Sequence, residues 1–315
     1  MTILNEDYQL NNGVKIPKLA LGTWLLDDDA AEKAVTTALQ LGYRHIDTAE
    51  AYENEKGVGR GIQQSGKARD EIFVTTKLAA ELKDYESAAQ AINESLQKLG
   101  LDYIDLMIIH SPQPWKEVNQ STDRHEAGNL AAYQALEDAY HAGKLRAIGV
   151  SNFNQHDLQN ILDHATVRPA VNQVLAHVTN TPFELIDFCQ QNDILVEAYS
   201  PVAHGAVLAN PILNELADKY GVSVAQLCIR YDLQLGLLPL PKTANPDHMK
   251  QNADVDFVIA ADDLETMKHL EHIKDYGKIM GKMAFSRFME VKSNETNCGT
   301  RYTGRVCPRI CSFKR

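Results

Sequence analysis

Short strand-like runs alternate with longer runs of helical periodicity along most of this chain, and this alternation limits the fold more than any other feature. Such alternation is typical of a parallel sheet with helices packed on its outside. The strand candidates number eight and cover residues 19–23, 45–48, 72–77, 103–110, 146–151, 170–174, 195–200 and 237–241. A hairpin around Asn11-Asn12-Gly13 precedes them, because Asn-Gly accepts the positive φ of a tight turn.

The helical candidates include residues 30–41, 88–99, 130–142 and 155–164, and Gly42, Gly100 and Gly143 stand where a left-handed residue ends a helix. Eight alternations over about 240 residues match the roughly 250 residues of a typical barrel, and right-handed crossovers would close the sheet. We therefore predict an α/β fold, a (β/α)8 TIM barrel with an N-terminal β-hairpin.

The alternative fold is an open, doubly wound sheet with a dinucleotide-binding fingerprint. Gly57-Val-Gly-Arg-Gly-Ile62 has Ile where the pattern G-x-G-x-x-G requires its last Gly, and no strand leads into it. We interpret this segment as the start of a helix.

Net charge and apolar content indicate the kind of partner. The formal net charge is −11 and the isoelectric point about 5.5, which disfavours broad attraction to nucleic acid or to an anionic membrane. No apolar run approaches the roughly 18 residues of a membrane span, and the first residues lack a secretory-signal pattern. We expect a cytoplasmic monomer whose partner is a small molecule.

The last 31 residues differ from the rest in composition. Residues 285–315 carry a net charge of +5 and contain Cys298, Cys307 and Cys311. We predict that residues 1–284 form the barrel domain and that residues 285–315 are a disordered or foreign extension. Cys189 and Cys228 lie in apolar contexts that suit buried free thiols, so a disulfide framework is not expected.

Four ionisable residues follow the ends of successive strands, where a barrel collects its active site: Asp47, Tyr52, Lys77 and His110. A free tyrosine has a pKa near 10, and a cation within about 4 to 6 Å lowers it. We expect Lys77 to lower the pKa of Tyr52 toward about 7 while Asp47 holds the lysine. His110 could donate a hydrogen bond to a carbonyl oxygen that Tyr52 then protonates.

The segments Asp47-Thr-Ala-Glu-Ala-Tyr52, Thr75-Thr-Lys77-Leu and Ile109-His110 resemble the catalytic tetrad of the aldo-keto reductases, among them bacterial diketo-gluconate reductase-like members. The resemblance extends over roughly residues 8 to 283. It implies NAD(P)H-dependent reduction of aldehydes and ketones to alcohols, with Tyr52 as general acid.

The resemblance also implies a cofactor held across the barrel mouth. Ser151, Asn152 and Gln173 match the residues that hold the nicotinamide carboxamide, and Tyr199 matches the aromatic ring beneath the nicotinamide. The remaining cofactor candidates are Thr23, Ser200, Lys242, Thr243, His248 and Asn252. His248 stands where NADPH-selective relatives carry Arg, so we expect NADPH as cofactor, with NADH possible.

The substrate-pocket candidates are Trp24, Ala79, Ser111 and Trp115. Ala79 and Ser111 occupy places where well-known members carry tryptophans, which predicts a wider or more polar pocket that Trp115 could partly refill. The sequence leaves open small polar dicarbonyls, keto-sugars and bulky aromatic aldehydes.

Metal chemistry is not expected, because His125-Glu126 is not followed by the second His of H-E-x-x-H. The alternative function is a regulatory barrel that binds the cofactor and has little turnover. Such a protein would not require a general acid such as Tyr52, so the presence of the whole catalytic group favours the enzyme.

Overall fold

The structure is a computed structural model and describes residues 2–118 and 120–273. The tail at 285–315 and the domain boundary at 284 lie outside the described residues. The chain opens with two antiparallel strands, β1 (Asp7–Gln9) and β2 (Lys15–Pro17). This hairpin lies across the N-terminal ends of the barrel strands, since Asn12 Nδ2 donates to Arg146 O and Tyr8 OH donates to Leu237 O.

Eight parallel strands follow in one sheet whose spatial order equals their chain order. They are β3 (Leu21–Gly22), β4 (His45–Asp47), β5 (Phe73–Leu78), β6 (Ile104–Ile109), β7 (Leu145–Ser151), β8 (Val171–Leu175), β9 (Leu195–Tyr199) and β10 (Leu238–Leu240). The first and last strands are joined, because Gly22 N donates to Pro241 O at 3.1 Å and Ala20 N to Pro239 O at 3.4 Å. The predicted (β/α)8 barrel is confirmed, and the open-sheet alternative is wrong because these bonds close the sheet.

Helices connect the strands and cover the outside of the barrel. Six of them each join one strand to the next: α1 (Asp28–Gln40), α2 (Glu55–Gln64), α3 (Tyr85–Leu99), α4 (Glu126–His141), α5 (Gln155–His164) and α6 (Phe183–Gln191). Two helices, α7 (Pro211–Tyr220) and α8 (Val224–Gln234), separate β9 from β10, and α9 (Pro246–Ala253) and α10 (Ala261–Lys268) follow β10.

At α1 the structure shows both an N-terminal capping residue and the predicted glycine after the helix. Asp27 caps its N-terminus by accepting from Ala30 N at 2.8 Å, and the chain turns after the helix at Gly42, which has a φ of 99°. The buried face repeats at helical spacing and packs against the strands: Ala31, Ala34, Val35, Ala38 and Leu39. Burial of this apolar stripe orients the helix on the barrel.

The glycines of the segment 57–62 lie inside α2, as predicted. A Cβ atom at Gly57 would lie 2.1 Å from Asp28 O, and one at Gly59 would lie 2.2 Å from Leu99 O. These glycines therefore allow α2 to pack closely between its neighbours α1 and α3.

The strands are buried on both faces, and every residue of β5 and β6 is buried. Cys189 and Cys228 are buried free thiols, as predicted. Most of the barrel interior is apolar, but polar side chains gather at its C-terminal end, where Lys77 and Glu197 are completely buried. That end holds the candidate site.

Candidate active site

A cavity of about 240 Å³ opens at the C-terminal ends of the barrel strands. Its lining includes Asp47, Tyr52, His110, Gln173 and Tyr199. The parallel strands bring these distant residues together, since each lies on a barrel strand or in the loop that follows it.

Lys77 and Asp47 form a buried ion pair on adjacent strands. Lys77 Nζ lies 2.7 Å from Asp47 Oδ1 and 2.9 Å from Asp47 Oδ2, and it also donates to Thr48 O at 2.7 Å. The lysine is fully buried and all three donor hydrogens have acceptors. This arrangement fixes a cation beneath the cavity.

Tyr52 lies beside this cation. It ends a short 3-10 turn, Glu50–Tyr52, and its ring centroid is 5.1 Å from Lys77 Nζ. Burial, together with the charge of Asp47, raises the pKa of Tyr52 well above 10. The expected lowering of this pKa by Lys77 is therefore wrong. Burial disfavours the phenolate, and Asp47, whose two oxygens contact the Lys77 ammonium, adds a negative charge nearby.

His110 faces Tyr52 and Trp115. Its ring centroid is 5.7 Å from that of Tyr52 and 4.9 Å from that of Trp115, both in edge-on contacts. Burial, with a smaller effect of the Lys77 charge, lowers the pKa of His110 well below 6.5. The imidazole is therefore neutral at physiological pH and can donate from one nitrogen.

A network of amide and hydroxyl side chains forms another part of the cavity wall. Asn152 Nδ2 donates to His110 O and to Ser151 Oγ, both at 3.0 Å, while Tyr199 OH donates to Asn152 Oδ1 at 2.9 Å. Ser151 Oγ donates to Gln173 O at 2.8 Å. The side chains of this wall thus hold one another in place.

The structure places the other cofactor candidates around the same opening. Ser200 and Lys242 line the cavity. Thr23 is buried and donates through Oγ1 to Asp47 O at 3.0 Å, while Thr243 Oγ1 accepts from Asn245 N at 3.0 Å.

His248 and Asn252 lie on α9, which follows the last barrel strand. His248 is exposed in the first turn of this helix, and Asn252 is buried one turn later. Neither residue lines the cavity.

The four pocket candidates divide into two pairs. Trp24 and Trp115 line the cavity, whereas Ala79 and Ser111 are not part of its wall. Ala79 N donates to Glu50 Oε2 at 3.3 Å. Ser111 is buried, its carbonyl accepts from Lys83 Nζ at 2.8 Å, and its Oγ accepts from Gln113 N at 3.2 Å.

The loop after β9 supplies wall residues that the sequence did not indicate. His204 and Val202 line the cavity, and the His204 ring lies 5.3 Å from the Trp24 ring. His204 and Ser200 have positive φ values of 51° and 57°. Neither residue is Gly, so no local signal in the sequence marks this turn.

The wall residues fit a nicotinamide carboxamide, which has both an N–H donor group and a carbonyl acceptor. Gln173 uses both hydrogens of Nε2, on Asp47 Oδ2 at 2.9 Å and on Glu197 Oε2 at 2.7 Å. Its amide oxygen is the group that remains to face a ligand. The flat ring of Tyr199 beside it suits stacking with an aromatic ring.

Within the described parts of the chain, no cluster of three or more His, Cys, Asp or Glu side chains has the geometry of a metal site. None of the helices described has both the length and the apolar content that crossing a bilayer requires.

Comparison with known proteins agrees with this geometry. The chain matches the model of the Aldo/keto reductase family over residues 18–272. It is 39% identical to a glyoxal reductase of Bacillus subtilis over 286 residues, which is 90% of this chain and 99% of the relative. It is 38% identical to an aldehyde reductase of Saccharomyces cerevisiae, covering 84% of this chain and 90% of the relative.

Solved structures give the same result. An aldo/keto reductase from Brucella melitensis superposes with a TM-score of 0.78 at 39% identity, covering 84% of this chain and 98% of the other. An aldo-keto reductase of Bombyx mori in complex with NADP gives a TM-score of 0.75 at 36% identity, covering 87% and 96%.

Proposed function

The chain belongs to the aldo/keto reductase family and catalyses NAD(P)H-dependent carbonyl reduction, and from this premise we propose that Tyr52 is the general acid and NADPH the preferred reductant. The observation that carries the proposal is the buried Lys77–Asp47 ion pair beside Tyr52, with neutral His110 at the same cavity. These groups are the ones that reduction of a carbonyl requires.

The bound cofactor would supply a hydride to the carbonyl carbon, and the protein handles the charge and the proton. As negative charge grows on the carbonyl oxygen, His110 and Tyr52 donate hydrogen bonds to it. Tyr52 then transfers its proton, which gives the alcohol and a phenolate. Lys77 stabilises that phenolate, and Asp47 keeps the lysine in place until solvent returns a proton.

The raised pKa of Tyr52 is compatible with this role. A tyrosine with a pKa above 10 holds its proton throughout the neutral range, so the acid is present in every enzyme molecule. The alkoxide that forms is a much stronger base than a phenolate, so proton transfer to it is favourable. The proposed mechanism therefore does not depend on an acidified tyrosine.

NADPH preference is proposed from the charged groups on one side of the cavity. Lys242 is exposed and lines the opening, with Thr243 next to it and His248 in the first turn of α9. The exposed N-terminus of a helix and a lysine favour an anion such as the 2′-phosphate. Arginine offers two parallel donors to a phosphate, whereas His248 offers fewer, which leaves room for activity with NADH.

We propose small aldehydes and α-dicarbonyls as substrates. The cavity of about 240 Å³ must also receive the nicotinamide, and the bulky side chains of Trp24, Trp115 and His204 line it. The relative named glyoxal reductase supports the same class. The regulatory alternative is not retained, because no observation favours it. A cytoplasmic monomer remains part of the proposal.

The test is NADPH oxidation at 340 nm with glyoxal, methylglyoxal, a keto-sugar and a bulky aromatic aldehyde. The two dicarbonyls should give the highest kcat/KM. Tyr52→Phe should lower turnover by about 10²- to 10⁴-fold, as loss of a general acid does, while fluorescence titration shows unchanged NADPH binding.

The matched control is Tyr140→Phe on α4, half-buried and outside the cavity, which should behave as wild type. Full turnover in Tyr52→Phe would remove this residue from the mechanism. A preference for the aromatic aldehyde would contradict the proposed substrate class.

A further inference from the structure

We propose that Glu197 is a positioning residue of this reductase: held in its neutral form, it fixes the amide of Gln173 so that the Gln173 carbonyl oxygen is presented to the nicotinamide. Glu197 is not among the residues that the sequence analysis selected. The inference rests on the proposed function for its NADPH-affinity and rate measurements, whereas its stability measurement is independent of that function.

The geometry begins with a chain of contacts across the barrel interior. Glu197 on β9 accepts from Gln173 Nε2 on β8 at 2.7 Å, and the same nitrogen donates to Asp47 Oδ2 on β4 at 2.9 Å. Asp47 in turn holds Lys77. Glu197 is therefore connected to the catalytic ion pair through a single side chain.

These contacts decide which way the Gln173 amide points. An amide nitrogen carries two hydrogens, and here one is on Asp47 and the other on Glu197. If Glu197 could not accept, the amide would lose one of the two bonds that determine its orientation. The reversed amide would place its oxygen against Asp47, and two acceptors would repel.

The surroundings of Glu197 favour the neutral carboxyl. Its side chain is completely buried, and Oε1 has no hydrogen-bond partner among the residues the structure describes. A buried carboxylate with an unpartnered oxygen costs far more free energy than a neutral carboxyl. Burial, then the charge of Asp47, raises the pKa of Glu197 to about 8.

The charged groups that act on Glu197 are Asp47, which raises its pKa, and Lys77, which lowers it less. The neighbouring strands β8 and β10 contribute no titratable side chain. Helix α6, which packs against β9, carries Glu184, Asp187 and Cys189, and β4, the strand that carries Asp47, also carries His45.

These remaining groups are either exposed or uncharged, so Asp47 and Lys77 are the charges that determine the pKa of Glu197. The two carboxylates of α6 are exposed on the outside of the barrel, and burial raises the pKa of the Cys189 thiol to about 12. Burial lowers the pKa of His45 to about 3, so this imidazole is neutral as well.

Ionisation of Glu197 would add a second carboxylate behind the site, where Lys77 is the cation within reach of both. The extra negative charge opposes the charge that develops on the carbonyl oxygen and on Tyr52. The neutral form of Glu197 is therefore the productive one.

The first measurement tests positioning through NADPH affinity without substrate, by fluorescence titration at pH 7. Glu197→Met keeps the length of the side chain but cannot accept from Gln173, and we expect Kd to rise about three- to tenfold, the range that loss of one net hydrogen bond gives. Glu197→Gln keeps an acceptor oxygen and should restore wild-type affinity. Wild-type affinity in Glu197→Met, or equal weakening in both variants, would overturn the positioning role.

The second measurement tests the charge state through stability, with no activity required. An unfolded Glu197 loses its proton near its ordinary pKa of 4.5, whereas the folded one keeps it up to about 8. The folded state binds more protons in this window, so stability falls as pH rises from about 4.5 to 8 and stays low above it. Relative to Glu197→Gln, the wild-type unfolding constant in urea should increase by up to tenfold per pH unit within the window.

The third measurement is the pH profile of kcat/KM. The wild type should lose activity above about pH 8, and Glu197→Gln should move this loss to higher pH. Asp187→Asn, an exposed carboxylate on α6, is the matched control and should leave the profile unchanged.

Identical pH profiles of rate and stability in wild type and Glu197→Gln would overturn the neutral-carboxyl inference. If Glu197→Met does not fold, the comparison of wild type with Glu197→Gln still decides the charge state. Absence of NADPH oxidation in every protein would contradict the proposed function and leave the stability result standing.

Discussion

At the scale of single residues, the charge on each ionisable group is set by its neighbours rather than by its residue type. Tyr52 and His110 both remain uncharged at neutral pH, the first with a raised pKa and the second with a lowered one. Burial is the largest cause in each case, because it disfavours the charged form of any group. Lys77 is the buried cation beside these two residues, and its charge is matched by Asp47.

Cofactor selectivity belongs to this scale. His248→Arg replaces an exposed imidazole by a permanent cation with paired donors, which suits a phosphate. We expect the ratio of kcat/KM for NADPH over NADH to increase by about tenfold, which corresponds to one charge-assisted contact. The measurement is kcat/KM with both cofactors.

The control for this substitution is His269→Arg, since His269 is exposed at the end of α10 and does not line the cavity. Its selectivity ratio should equal that of the wild type. An unchanged ratio in His248→Arg would mean that residue 248 does not contact the phosphate.

At the scale of elements, close packing of helices keeps the strand ends in place. Helix α2 follows the loop that carries Tyr52, and it contacts α1 and α3 through glycines. Gly57 N also donates to Asp28 Oδ1 at 2.6 Å, which ties the start of α2 to the start of α1. The position of Tyr52 therefore depends on a helix contact that lies outside the cavity.

Gly57→Ala should destabilise the protein. A methyl group there would lie 2.1 Å from Asp28 O, a backbone atom, so the two helices must separate. Overpacking of this kind costs about 1–3 kcal/mol, which outweighs the gain of about 1 kcal/mol in helix propensity. Urea unfolding should show a net loss, and turnover should fall because the Tyr52 loop moves.

The matched control is Gln63→Ala in the same helix, because Gln63 is exposed to solvent. Its stability should change by less than about 0.5 kcal/mol. A Gly57→Ala protein as stable as the wild type would show that α1 and α2 can separate without cost.

At the scale of the whole molecule, the barrel is complete within the described residues. The eight parallel strands lie between residues 21 and 240, and the last described helix ends at Lys268. The match to the family model ends at residue 272. The eight strands of the barrel and the match to the family model therefore both precede the basic segment at 285–315.

Cutting the chain after Met283 should leave a folded and active reductase, because the removed segment contributes no element of the barrel described above. Circular dichroism and kcat/KM of the shortened and full-length proteins would be compared, with the same carbonyl substrate. Loss of folding would show that the segment belongs to the domain, and loss of activity alone would show that it contributes to the pocket.

The sequence by itself determined the eight strands, the helices between them and the order of Asp47, Tyr52, Lys77 and His110 along the chain. These features depend on local periodicity, on turn residues such as Gly42 and on the rule that strand ends meet at one edge of a barrel. Predicted strand limits were correct to within a few residues, as at β4, where residues 45–48 were predicted and His45–Asp47 observed.

Only the tertiary structure decided the charge state of Tyr52, the composition of the cavity wall and the position of Glu197. A pKa depends on burial and on charges from other strands, neither of which local sequence contains. Ser111 lies away from the wall, where its carbonyl accepts from Lys83 Nζ and its Oγ accepts from Gln113 N. His204 lines the wall from a turn in which its φ is positive, at 51°, and no local pattern in the sequence marks this turn. In the sequence, nothing distinguishes Glu197 from an ordinary strand residue. Its role follows from the folded barrel, in which it contacts Gln173 on the neighbouring strand.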